Sequence, residues 1–183
     1  MTSELVARAQ QGDHEAFDAL AGAAYHRLYA VAVRILRDGY AADDAVQDTL
    51  VRAWRDIRSL RDRDRFEAWL HRLLVHACAD HVRKGRRRVE IVPNTSDHPD
   101  PVDDMARVGD RDEISRAFQT LSVEHRAVLV LAHYVGLSAP EIAAWLGIPT
   151  GTVYSRIHHG RRAMRASLTR TSGMSVATAE HAP

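Results

Sequence analysis

The stretch from Leu137 to Arg162, LSAPEIAAWLGIPTGTVYSRIHHGRR, constrains this chain more than any other. It specifies two short helices joined by a tight turn. Ser138 caps the first helix, and Glu141 three residues on completes a capping box. Ile142, Ala143 and Leu146 give that helix an apolar face. Gly147 ends it, because a left-handed C-cap is open to glycine without a Cβ clash. Ile148 tucks inward, and Pro149 stands beside the start of the second helix, where a missing N–H costs nothing. Val153, Ile157, Gly160 and Met164 then recur on one side at helical spacing. The other side carries Thr152, Ser155, Arg156, His159 and Arg162. One greasy side and one side fit for phosphates and base edges is the plan of a helix-turn-helix recognition helix. Arg156, Arg161, Arg162 and Arg165 cluster with almost no acid nearby in sequence, which suits a polyanion. The competing account is an ordinary helical hairpin with a solvated polar face.

The chain has 183 residues, of which 45% are apolar, enough to build a core. Glycine and proline are few and no alternating β-type run occurs, so the expected fold class is all-α. No stretch is long and apolar enough to span a bilayer, and the first residues lack the basic-then-apolar pattern of a signal peptide. A lone cysteine, Cys78, leaves no internal disulfide and fits a reducing cytoplasm. Net charge is only +1. It is unevenly spread, with residues 1–90 and 114–183 basic and residues 91–113 acidic. Two small helical domains around an acidic connector is the simplest account.

In the first half, Leu5, Val6 and Ala9 mark a short helix ending near Gly12. Asp13 caps a second helix whose stripe runs through Phe17, Leu20, Ala24, Leu28 and Ile35, with Gly39 closing it. A third helix from about Ala42 turns Val46, Leu50, Ala53 and Ile57 inward and Asp44, Gln47, Asp48 and Arg55 outward. Arg58 to Arg65 is too polar for a core and reads as an arginine-rich loop. Asp64 and Glu67 are expected to cap a fourth helix carrying Phe66, Trp69, Leu70, Leu73, Leu74 and Ala77, which ends in the basic block Arg83 to Arg88. From about Ile91 to Asp112, prolines and aspartates replace any apolar pattern, as in a flexible linker. Glu113 to Thr120 begins the next helix, Ser122 caps another, and the residues after Arg170 read as a disordered tail.

Catalytic signatures are not evident. His71, His76 and His81 are spaced by five, which spreads them around a helix, and the i, i+4 histidine pair of a zinc helix is missing. No glycine-rich phosphate loop or nucleophile elbow occurs. The expectation is a protein with no metal, no cofactor and no enzymatic activity.

Three blocks together resemble the extracytoplasmic-function (ECF) group of bacterial RNA polymerase sigma factors, over nearly the whole chain. The first runs from Ala42 to Trp54 and is similar to the family's core-binding helix. The second, Phe66 to Leu74 continuing through Ala79 to Arg88, is similar to its −10 reading region. The third, around Glu141-Ile-Ala, Leu146-Gly-Ile-Pro and Gly151-Thr-Val-Tyr-Ser-Arg156, is similar to its −35 reading motif.

The resemblance implies residues 1–90 as sigma region 2, 91–112 as linker and 113–170 as region 4. It implies core RNA polymerase as partner, through the largest-subunit clamp and the flap of the second-largest subunit, together with promoter DNA and, as in many members, an anti-sigma protein. Asp44, Gln47 and Asp48 would face basic groups of the clamp, with Val51 and Trp54 adding apolar area. Arg61, Arg63 and Arg65 would track phosphates near the melted −10 element, and His76, Asp80, Arg83 and Lys84 would meet that DNA. Phe66 and Trp69 are stacking candidates, yet their helical spacing favours core packing. Thr150, Gly151, Thr152, Tyr154, Ser155, Arg156 and His159 would address the −35 groove, and Arg161 and Arg162 its backbone. His76 replaces an asparagine frequent in the family, and Tyr154 a common lysine. The runner-up reading is a stand-alone helix-turn-helix regulator, which needs neither the Ala42–Trp54 block nor the aromatic-basic fourth helix.

Overall fold

The computed structural model describes residues 2–91 and 110–179, with side chains described for 2–85 and 113–169. The described residues form eight α-helices and no strand. They are α1 (Thr2–Gln10), α2 (His14–Leu36), α3 (Gly39–Asp56), α4 (Phe66–Ile91), α5 (Asp110–Gln119), α6 (Val123–His133), α7 (Ala139–Leu146) and α8 (Thr150–Ala179). The central part of the expected flexible linker lies outside the described residues; its two ends belong to α4 and α5.

Helices α1 to α4 pack as one bundle. The side chain of Asp13 accepts a hydrogen bond from the Ala16 N–H and so caps α2. The end of α2 differs from the expected one. Arg37, at φ 61°, takes the left-handed C-cap position, while Gly39 opens α3 behind the cap Asp38. Asp38 accepts from the Ala41 N–H, and this side-chain cap decides where α3 starts.

The arginine-rich loop is likewise more ordered than its polarity suggests. It forms two short 3-10 turns, Ile57–Ser59 and Arg63–Arg65. Gln10 of α1 donates to the carbonyls of Ile57 at 3.0 Å and Leu60 at 2.7 Å. Ser3 donates to Asp64 at 2.7 Å. Asp64 is therefore spent on α1 rather than on the start of α4, and Asp62 caps the turn before it. Glu67 pairs with Arg27 of α2 at 2.5 Å.

Helices α5 to α8 form the second bundle. The capping box is present: Ser138 N–H donates to Glu141 at 2.8 Å and Glu141 N–H to the Ser138 hydroxyl at 3.5 Å. Gly147 sits at φ 66° and ends α7. Gly160 lets α8 approach α6, since a Cβ there would lie 3.1 Å from Leu129 Cδ1. Backbone of α8 continues to Ala179, past the Arg170 boundary at which the tail was expected.

The two bundles lie directly against one another, with α6 on α2 and α4, and α7 on α4. The buried core runs through both without interruption. Arg72 of α4 donates to the carbonyls of Trp145 at 2.9 Å and Ala144 at 3.0 Å, the orphan acceptors at the end of α7. His71 packs its ring on Trp145 with centroids 4.7 Å apart. Arg34 lies over the Tyr134 ring at 3.6 Å, and Arg37 bonds Ser115.

Burial pushes the His71 pKa below its ordinary 6.5, against a smaller opposing effect of the Glu67 carbonyl that its Nδ1 meets at 2.9 Å. The folded chain thus binds this proton less tightly than the unfolded chain. Stability is fully present above pH about 6.5, falls as pH drops below it, and stops falling once the depressed folded pKa is passed. Thermal melting at pH 7.5 and 5.5 should show a larger loss at acid pH for the wild type than for His71→Phe.

Candidate nucleic-acid interface

Helix α8 is positioned by a single buried side. Val153 and Gly160 are buried, and Ile157 and Met164 are half-buried toward α6 and α5. What remains outside is Gly151, Tyr154, Ser155, His158, His159, Arg161, Arg162 and Arg165, all exposed. Thr150, Thr152 and Arg156 are half-buried at the margins. The start of α8 faces outward, so its N–H groups and dipole favour an anion there. Tyr154, Ile157, His158, Arg161, Arg162 and Arg165 line one shallow basic depression.

Three details modify the sequence reading of this face. Arg156 is not remote from acid, because Glu124 of α6 feels its charge. Burial acts to raise the Glu124 pKa, but backbone and Ser122 hydrogen bonds with the Arg156 charge bring it below the ordinary value. Arg161 lies 3.1 Å from His133 Nε2 on α6, which fixes its direction. His158 belongs to the exposed face as well; it sits one turn from Tyr154, a spacing visible in the sequence although it lies beside the polar stripe.

A second basic surface lies on the first bundle. His76, Arg83 and Lys84 of α4 are exposed on one side, with half-buried Asp80 between them. Arg61, Arg63 and Arg65 are exposed in the ordered loop, where Arg63 donates to Gln10 at 3.0 Å and Arg65 lies 3.6 Å from Asp62. Phe66 is 3% exposed and belongs to the core, so it is not available to a base. Its aromatic bulk fills the bundle, as its helical spacing allowed. Trp69 is half-buried with its ring 6.0 Å from that of Phe66. Asp80 accepts from Arg52 at 2.8 Å and also bonds Arg83.

The outer side of α3 is a third surface. Asp44, Gln47, Val51 and Arg55 are exposed, and Val51 is 51% so. Asp48 is partly covered and lies 3.4 Å from His81 Nε2 of α4. Trp54 is less available than its place in the block suggests, since its ring packs on His14 at 4.4 Å and Phe17 at 5.0 Å. That ring serves the core between α2 and α3 first.

A helix-turn-helix in one bundle, and an acidic-apolar helix beside a basic one in the other, define a sigma-70-type arrangement. The sigma-70 region 2 family matches residues 20–88, and the sigma-70 region 4 family matches residues 111–164. The ECF sigma factor SigE of Mycolicibacterium smegmatis is 36% identical over 154 residues, 80% of this chain and 59% of the relative. The RNA polymerase sigma-H factor of Pseudomonas aeruginosa is 31% identical over 178 residues, 90% of this chain and 92% of the relative. The solved structure of the sigma factor RpoE with the anti-sigma factor NepR from Bartonella quintana aligns with TM-score 0.62 at 27% identity, covering 84% of this chain and 96% of that one. The chain belongs to the ECF group of RNA polymerase sigma factors.

Tyr154 is 60% exposed on the basic side of α8, so a lysine there adds one phosphate contact without touching the core. Tyr154→Lys should tighten binding of the full chain to duplex DNA and steepen its dependence on log salt by about one. Titration at several salt concentrations by fluorescence anisotropy reads both quantities.

Proposed function

We propose that this chain joins core RNA polymerase through α3 and directs it to promoters. In this reading residues 1–90 read and open the −10 element and residues 113–170 read the −35 element. The observation that carries it is the sharing of one chain by two basic surfaces and one acidic-apolar surface, on helices whose opposite sides pack into the bundles. A stand-alone regulator has no use for the exposed Asp44, Gln47 and Val51 side of α3. In the −10 unit, Arg61, Arg63, Arg65, Arg83 and Lys84 supply charge for a separated strand, His76 adds an exposed hydrogen-bonding ring, and Trp69 is the remaining aromatic stacking candidate. In the −35 unit, residues 150–159 enter the major groove while Arg161 and Arg162 hold backbone.

The direct packing of the two bundles adds a step to this reading. The two promoter elements are about 25 base pairs apart, roughly 85 Å along B-form DNA. A compact chain of this size is on the order of 40 Å across. The closed arrangement therefore cannot hold both elements of a straight duplex. The roughly 18 residues between α4 and α5 can span at most about 60 Å when extended, which lets the bundles part far enough. Binding to two separated sites on polymerase supplies the energy of opening, and an anti-sigma protein would act by favouring the closed form. The relative solved with NepR supports such a partner for this chain.

Run-off transcription with sigma-free core polymerase should give promoter-specific RNA, and its absence on every genomic template tried would refute the reading. Asp44→Arg should weaken core binding at least tenfold and leave the melting temperature within about 2 °C, as pull-down and calorimetry would show. Dyes placed on Ala19 of α2 and Ala163 of α8 by cysteine substitution should report a longer separation when core polymerase is added. Cys78, whose thiol burial pushes up to about 12, stays unlabelled.

A further inference from the structure

Asp80 stands on the DNA-facing side of α4 between His76 and Arg83, where a bare carboxylate repels phosphate. It is not bare. It accepts from Arg52 at 2.8 Å and bonds Arg83, and its side chain is only 26% exposed. The hydrogen bond from Arg52 is the largest cause holding this carboxyl below the usual carboxylate range. Arg52 comes from α3, the helix whose outer side is assigned to polymerase. One turn earlier on α3, Asp48 approaches His81, the residue next to Asp80. The α3–α4 seam thus carries one charged hydrogen bond here, from Arg52 to Asp80, and the Arg52–Asp80–Arg83 group keeps one net positive charge.

Arg83 is otherwise a long side chain, 71% exposed, with many rotamers. Ordering such a side chain on binding has an entropic cost, which prior fixation reduces. We propose that Asp80 is a positioning residue rather than a DNA contact: oriented by Arg52 of α3, it holds Arg83 of α4 in the direction of the −10 strand. The helix that meets polymerase then also sets the DNA surface beside it. The inference deepens the sigma assignment and rests on it for the identity of the strand.

Simple charge counting gives the opposite expectation, since removing a carboxylate near phosphates should tighten binding. The test is a salt-dependent anisotropy titration of the full chain against a single-stranded oligonucleotide at low ionic strength. Asp80→Asn should weaken binding roughly three- to tenfold, and Asp80→Glu should restore most of it. The double variant Asp80→Asn/Arg83→Ala should bind no more weakly than Arg83→Ala alone, because both changes remove one function. Circular dichroism melting separates loss of fold from loss of positioning, with Asp80→Glu as the folded reference. Unchanged or tighter binding by Asp80→Asn, or additive losses in the double variant, overturns the proposal. Run-off transcription by the wild type reads the sigma assignment separately. Its failure would remove that assignment and leave the titration to decide the role of Asp80.

Discussion

One guanidinium bridges the two halves of this molecule beside the apolar core they share. Arg72 reaches from α4 to the last carbonyls of α7, filling the acceptors that a helix end leaves unmatched. Its approach depends on Gly147, because a Cβ at that position would lie 3.0 Å from the guanidinium carbon. Gly147 therefore serves two purposes, a left-handed turn and room for a neighbour. Trp145 on His71 and Tyr134 under Arg34 extend the contact with apolar and cation–π area. Every one of these groups is polar or amphipathic. Beneath them the apolar core runs from one bundle into the other, with α6 on α2 and α4, so parting the halves has a cost in exposed apolar surface.

The distribution of charge follows the same logic. Side chains at the edges between helices are paired: Arg27 with Glu67, Arg52 with Asp80, Arg8 with Asp13. Exposed ion pairs of this kind add little to stability. Their consequence is directional, since they fix where neighbouring side chains point and leave the surface between them with a defined sign. On α8, Arg161 is held beside His133, and the Arg156 charge acts on Glu124 of α6. A basic face with some of its arginines braced binds a backbone with less ordering than a face of loose ones.

Much of the fold was legible because its signals are local. The Ser138–Glu141 box, the glycine at 147 and the stripe through Val153 and Gly160 each involve residues within one or two turns, and the structure carries all of them. The errors fall where a local signal had a distant competitor. Asp64 has the spacing of a helix cap, but Ser3 of α1 uses its carboxylate. Gly39 has the composition of a helix end, yet Asp38 caps the next helix and Arg37 takes the left-handed position. Trp54 has the chemistry of an exposed aromatic, and its ring packs against His14 and Phe17 of α2, whereas Phe66 takes the core place that its spacing favoured.

The sequence by itself determined the helices, their order, the two basic faces and the acidic-apolar side of α3, because each depends on periodicity within a single helix. Only the tertiary structure decided which of those polar groups are already engaged. It paired Asp80 with Arg52, set Asp48 beside His81 and brought the second bundle onto α4 through Arg72. These contacts join residues 28 to 73 positions apart. No periodic pattern encodes such partners; they follow from how the packed helices bring distant surfaces together.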